Sequence, residues 1–166
     1  MSESISIGLW NANGLRTTVI YDVLQHCSSS SLLFITETWL LSSSRLPTNW
    51  SQFHMYGTAV PATGVSCLVS PSCPFPVYQL PSPNAHTLSL KIGPLRVHCL
   101  YLSPSLSSDV FSSVLSSIPL HPNTIICGDF NARLGDLVGD SAINSRGRLL
   151  LPWCEAHSFD VLNACL

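Results

Sequence analysis

Charge is what this sequence has least of. Asp, Glu, Lys and Arg make up 10% of its 166 residues, and the formal net charge is −2. Seven Lys and Arg cannot coat a surface, so a broad basic footprint for nucleic acid is excluded and any phosphate-rich partner must be gripped by few contacts. Long apolar runs are absent too: no stretch reaches the length of a bilayer span, and "MSESISIGLW" at the start has no basic segment leading into a hydrophobic core. The expectation is a soluble chain with no membrane partner and no readable address. The seven cysteines stand singly, none in the two-residue spacing of zinc or redox pairs. They read as free, partly buried thiols of a reducing compartment. No long linker, charge block or internal repeat interrupts the chain.

What is present is apolar residue, at 46% of the total, which is too much for disorder and enough for one sizeable core. A single domain over 1–166 is therefore expected. "ISIGLWN" (5–11) alternates as a strand does, and "TVIYDVLQHC" (18–27) carries apolar residues at helical spacing. "LLFITE" (32–37) is a second, buried strand. β-type runs at "FHMYGT", "VSCLVS", "HTLSLKI" and "LRVHCLYL" are broken by Pro, Asn and Gly and suggest an antiparallel meander. "DVFSSVLSSI" (109–118) is helical and "NTIICGD" (123–129) is a strand. "INSRGRLLLPWCEAH" (143–157) is helical but kinked or interrupted at Pro152, and "FDVLNA" begins a further strand. The class is α+β, with sheets faced by helices.

The polar residues fall where strands give way to loops. Asn11 and Asn13 follow the first strand, Glu37 ends the second, Tyr101 ends another, and Asp129 with Asn131 follow the next, so neighbouring strands can bring all of them to one rim. Mg²⁺ takes hard oxygen ligands, usually one or two protein carboxylates plus waters and a substrate phosphate. Glu37 and Asp129 suit that demand, with asparagines supplying neutral oxygen or holding phosphate. Each position also has a plainer reading. Asn13-Gly14 is a strong turn signal, Asp129 and Asn131 can cap a turn or a helix, Glu37 can pair with an arginine, and Tyr101 can be a packed aromatic. The ordered set, rather than any member, carries the signal.

"WNANGL" (10–15), "ITETWL" (35–40), "LYLSP" (100–104), "GDFNA" (128–132) and "NSRGRLL" (144–150) together resemble successive motifs of the endonuclease/exonuclease/phosphatase superfamily, above all the apurinic/apyrimidinic-type endonuclease domains of non-LTR retrotransposons. The resemblance implies a four-layered α/β/β/α sandwich, deoxyribonuclease I-like, and phosphodiester hydrolysis of DNA with Mg²⁺ or Mn²⁺. It makes Glu37 the metal-binding glutamate, with Asn13 standing where repair enzymes have aspartate. Asn11 is then the asparagine beside metal and phosphate, and Tyr101 the tyrosine on the scissile phosphate. Asp129 orients or deprotonates the attacking water, and Asn131 is its phosphate-binding neighbour. The family's later Thr-Trp and Ile-Asp-Tyr strands and its closing Ser-Asp-His motif have no counterpart in these residues. The resemblance thus implies a fold incomplete at its C-terminus, a truncated copy of weak or no activity, and an open edge on which copies self-associate. A nuclear location follows if it acts as a retroelement endonuclease. A non-catalytic remnant or binding module, and a phosphatase of the same superfamily, are the alternatives.

Overall fold

The computed structural model describes residues 4–57 and 63–165. The chain divides into two compact units, one of Met1–Tyr101 with Pro119–Asp129 and one of Leu102–Ile118 with Phe130–Leu166.

The first unit holds two four-stranded sheets. One is built from β1 (Ile7–Asn11), β2 (Leu32–Thr36), β3 (Ser51–Met55) and β4 (Val65–Val69), in the order β1-β2-β4-β3. The other takes β5 (Val77–Gln79), β6 (Thr87–Ile92), β7 (Leu95–Tyr101) and β8 (Thr124–Asp129) in chain order. Each sheet has one parallel pair, β1 with β2 and β7 with β8, and two antiparallel pairs. The sheets are therefore mixed, and the fold is α+β.

Alternation along the strands shows why β2 reads as one unbroken apolar run. Leu32 and Phe34 join Val65, Cys67 and Val69 of β4, Leu88, Leu90 and Ile92 of β6, and Val97, Cys99 and Tyr101 of β7 in the core between the sheets. Leu33 and Ile35 point to the opposite face, where they meet Ile20 and Leu24 of helix α1 (Ile20–His26). A strand covered on both sides needs apolar residues at every position, and all five of β2 are buried.

The second unit carries α2 (Ser108–Ser117) and α3 (Ser145–Ala156). Ser107 caps α2 by accepting from the Val110 amide, and Asn144 caps α3 by accepting from Gly147. Phe111, Val114 and Leu115 are buried on α2, and Arg146, Gly147 and Leu150 on α3.

Four expectations change. The runs read as one meander are split: β3 pairs with β4 in the first sheet and β6 with β7 in the second, while Thr58 of "FHMYGT" lies outside the described residues. Strand β5 went unread because prolines flank its three residues. Helix α3 runs through Pro152 without interruption; its far end is held by the His157 amide on the Trp153 carbonyl and by Trp153 stacked on Phe159. Finally, "FDVLNA" forms no strand. The Phe159 amide bonds to Cys154, the Ala164 amide to Val161, and Leu162–Cys165 is a 3-10 turn; local bonds take up donors that a ladder would need. Cys27, Cys67, Cys73, Cys99, Cys127 and Cys154 are free, with Cys67 and Cys99 buried. Among the described residues no helix is long and apolar enough to cross a membrane.

Candidate active site

Parallel pairing decides which strand ends meet. Asn11 and Thr36 close β1 and β2 in register, so Glu37 leaves β2 beside the end of β1. Tyr101 and Asp129 close β7 and β8 as a register pair. The Asn11 side chain then joins the two sheets: its amide nitrogen donates to Glu37 Oε1 at 2.8 Å and to Asp129 Oδ2 at 2.8 Å. Two carboxylates separated by 92 positions in sequence are thus drawn onto one nitrogen, and their oxygens stand no further apart than twice that bond. The Asn11 carbonyl oxygen is also engaged, accepting from the Asn13 backbone amide at 3.0 Å. Glu37 and Asp129 are half-buried and Asn11 is exposed, so the cluster opens to solvent.

The backbone around it is held in an uncommon conformation. Asn13, Glu37 and Asn131 have φ of 44°, 51° and 49°. Asparagine visits this left-handed region readily, whereas glutamate seldom does. Glu37 is held there from both sides: Gly14 donates to its carbonyl at 2.8 Å, and the next residue, Thr38, donates to Gly64 at 3.3 Å. Strain retained by surrounding bonds concentrates at functional positions. Gly128, just before Asp129, is required sterically, since a Cβ there would lie 1.9 Å from the Leu100 carbonyl oxygen across the β7–β8 pair.

The structure brings Asn11, Glu37 and Asp129 together directly, Asn13 through its amide, and Tyr101 as the register neighbour of Asp129. The plainer readings divide. Asn13-Gly14 is indeed a turn, with positive φ at both residues. Tyr101 is indeed packed, at 5% exposure in the inter-sheet core. Glu37 is bonded to Asn11 rather than to an arginine.

Asn131 belongs to the second unit, where its side-chain nitrogen donates to the Leu102 carbonyl at 3.1 Å. Asn144 donates to the Asn131 carbonyl at 3.0 Å and accepts from Arg133 and Gly147. Arg146, 6% exposed, donates to Leu102 at 2.7 Å, to Phe130 at 3.1 Å, and to Ser103 and Leu106, with its guanidinium 5.4 Å above the Phe111 ring. It thereby fixes the residue after Tyr101 and the residue between Asp129 and Asn131. Pro104, Asn131, Arg133, Asn144, Ser145 and Arg146 line an open cavity of about 340 Å³. Sequence reading passed over Asn144 and Arg146 as site-forming residues; the available signal was an arginine inside an apolar helix of a charge-poor chain.

Among the described residues no three His, Cys, Asp or Glu gather as a metal-binding group. The two rim carboxylates offer hard oxygen donors of the kind that a divalent cation such as Mg²⁺ accepts while keeping most of its waters, with the Asn11 amide nitrogen between them.

This α+β architecture is deoxyribonuclease I-like, the fold that it shares with similar solved structures. Similar solved structures are the endonuclease domain of TRAS1, a telomere-specific non-LTR retrotransposon (TM-score 0.73, 14% identity, 92% of this chain and 71% of that one), and the AP endonuclease LMAP of Leishmania major (TM-score 0.68, 13% identity, 91% and 66%). The 3′-5′ exonuclease NExo of Neisseria meningitidis is similar at TM-score 0.61 and 18% identity, over 90% and 70%. NExo of Neisseria is also described as a 3′ phosphatase and has been solved with a product DNA hairpin. No protein-family model matches the sequence, and no curated protein does.

Proposed function

We propose that the chain is a divalent-metal-dependent phosphodiesterase that acts on DNA, of the retroelement endonuclease type. The observation that supports it most is the Asn11 amide shared between Glu37 and Asp129 at the ends of three strands. Mg²⁺ or Mn²⁺ bound by Glu37, with Asn13 nearby, would offset charge on the phosphate oxygens and lower the pKa of a bound water. Asn11 keeps the two carboxylates at a fixed separation and orients them. Asp129 accepts a proton from, or orients, the attacking water. Tyr101 contacts the phosphate. In the second unit, Asn131 is a phosphate-binding candidate by the same resemblance, and Arg146 fixes the backbone at Leu102 and Phe130.

Hydrolysis by these 166 residues alone is slow, because the described residues supply no third acidic or histidine group beside the pair and a positioned acid or base is worth on the order of 10² to 10⁴ in rate. Strands β1 and β8 are sheet edges and promote self-association, which sedimentation velocity measures.

The deciding experiment has two readouts. Mn²⁺ binding by electron paramagnetic resonance should be weakened at least 10-fold by Glu37→Gln or Asp129→Asn. Nicking of supercoiled and abasic DNA with Mg²⁺ should be slow and should vanish in Asp129→Asn. Metal binding without any cleavage would mean a non-catalytic binding module. Cleavage of terminal phosphates alone would mean a phosphatase, as NExo of Neisseria is also described. Unaltered Mn²⁺ affinity in both variants would defeat the metal-site reading.

A further inference from the structure

The four tryptophans are treated differently by the fold. Trp10 and Trp50 pack against the cluster beneath α1, and Trp153 stacks on Phe159. Trp39 is 45% exposed. It also has φ of 55°, a conformation rare for so bulky a residue, and it lies two positions beyond Glu37. Its backbone is fixed by a donation from its own amide to Thr63 at 3.0 Å, while the preceding Thr38 carbonyl accepts from Leu15 at 3.2 Å. The six-membered ring of the indole rests on Gly14: a Cβ at that position would come within 2.6–3.0 Å of three ring atoms. A large aromatic is therefore held in an unfavourable backbone state, supported by glycine on one side, with much of its surface given to solvent.

Two residues of chain reach about 7 Å, a distance of about two nucleotide rises. The chain has seven Lys and Arg in all, so electrostatics cannot supply much of its hold on DNA. Stacking is the other general source of affinity for a strand, and it tolerates any base because every base has a π face. We propose that Trp39 is a stacking platform for a nucleobase neighbouring the phosphodiester that would be cleaved beside Asn11, Glu37 and Asp129. This rests on the DNA-directed reading above and adds to it the group that recognises the base.

The test measures binding in EDTA, where no cleavage intervenes, by anisotropy of a labelled single-stranded oligonucleotide with the full 166-residue chain. Trp39→Ala should weaken binding roughly 10- to 100-fold without altering the salt dependence, and Trp39→Phe should recover most of the loss. An oligomer of abasic deoxyribose phosphates should bind the unaltered protein about as weakly as the ordinary oligonucleotide binds Trp39→Ala. DNA-induced quenching of tryptophan fluorescence should disappear in Trp39→Phe. If Trp39→Ala fails to fold, the abasic oligomer and Trp39→Phe still decide. Equal affinity for abasic and ordinary oligomers, unchanged affinity in Trp39→Ala, or no oligonucleotide binding by the unaltered chain would each overturn the proposal. Mn²⁺ binding is measured separately on the unaltered protein, so its absence would sink the metal-site reading and not this one.

Discussion

Two polar clusters in this protein are built on opposite terms. At the rim of the first unit, two half-buried carboxylates share one neutral amide, and one of them sits on a left-handed backbone. At the start of α3 in the second unit, a buried guanidinium spreads its donors over four carbonyls while Asn144 both caps the helix and holds the neighbouring loop. In the second, donors meet acceptors and the geometry is its own stabilisation. In the first, like charges are gathered and then left facing water, which has a cost that the fold tolerates. A cluster that matches donors to acceptors fixes structure; one that gathers carboxylates at an open rim suits a cation.

The contrast is broken most severely at Arg146. Replacing it by alanine leaves buried carbonyls without donors and should lower stability by on the order of 3 kcal/mol, a fall in melting temperature of roughly 6 to 12 °C. Arg146→Lys should fall between, because an ammonium cannot fork across four acceptors. A melt of Arg146→Ala that matches the unaltered protein would show the guanidinium to be dispensable.

The rim should respond with the opposite sign. Without metal, Glu37→Gln removes like-charge repulsion while keeping an acceptor for Asn11, and should raise stability by about 0.5 to 1 kcal/mol. Saturating Mg²⁺ should then stabilise the unaltered protein and not the variant. Paired thermal melts with EDTA and with Mg²⁺ show both effects; a Glu37→Gln that is destabilised in EDTA would mean that the carboxylate is structural.

The smallest effect is on pH. Burial lowers the pKa of His54, His86 and His98, with Arg45 adding to the effect at His54 and Arg96 at His98. The folded state then holds fewer protons than the unfolded one once pH falls below the ordinary histidine value of about 6.5. Stability should be flat above that value, decline as pH falls through it, and level off below the folded pKa values. Urea midpoints between pH 7.5 and 5 follow this. His98→Gln, at the buried partner of Ser89, should flatten part of the slope.

Much of this arrangement was legible in the residues. Alternation marked β1, unbroken apolar runs marked β2 and β8, and shorter β-type runs marked β3, β4, β6 and β7, while the habit of polar residues to follow strands singled out Asn11, Glu37 and Asp129. Three kinds of feature were not. Strand β5 lacks the length that makes a pattern. The left-handed backbone at Glu37 and Trp39 has no local cause, since neither residue favours it; bonds from the 12–15 and 63–64 segments impose it. Arg146 was passed over because its acceptors Leu102 and Ser103 are more than forty residues away. The expected C-terminal strand failed for the converse reason: the apolar residues of "FDVLNA" make a strand only if a neighbouring strand accepts them.

The cysteines of the inter-sheet core turn the protein into a recorder of its own motions. Burial raises the thiols of Cys67 and Cys99 well above their ordinary pKa, and Cys127 adds to the effect at both. Protonated and enclosed, they are silent toward alkylating reagents in the closed state. Cys67 sits mid-strand between Phe34 and Phe53 in one sheet, and Cys99 faces Cys127 in the other. Both thiols face the core between the sheets, so labelling of either requires that core to open, and the two rates, read by mass spectrometry on a single sample, tell whether it opens as one.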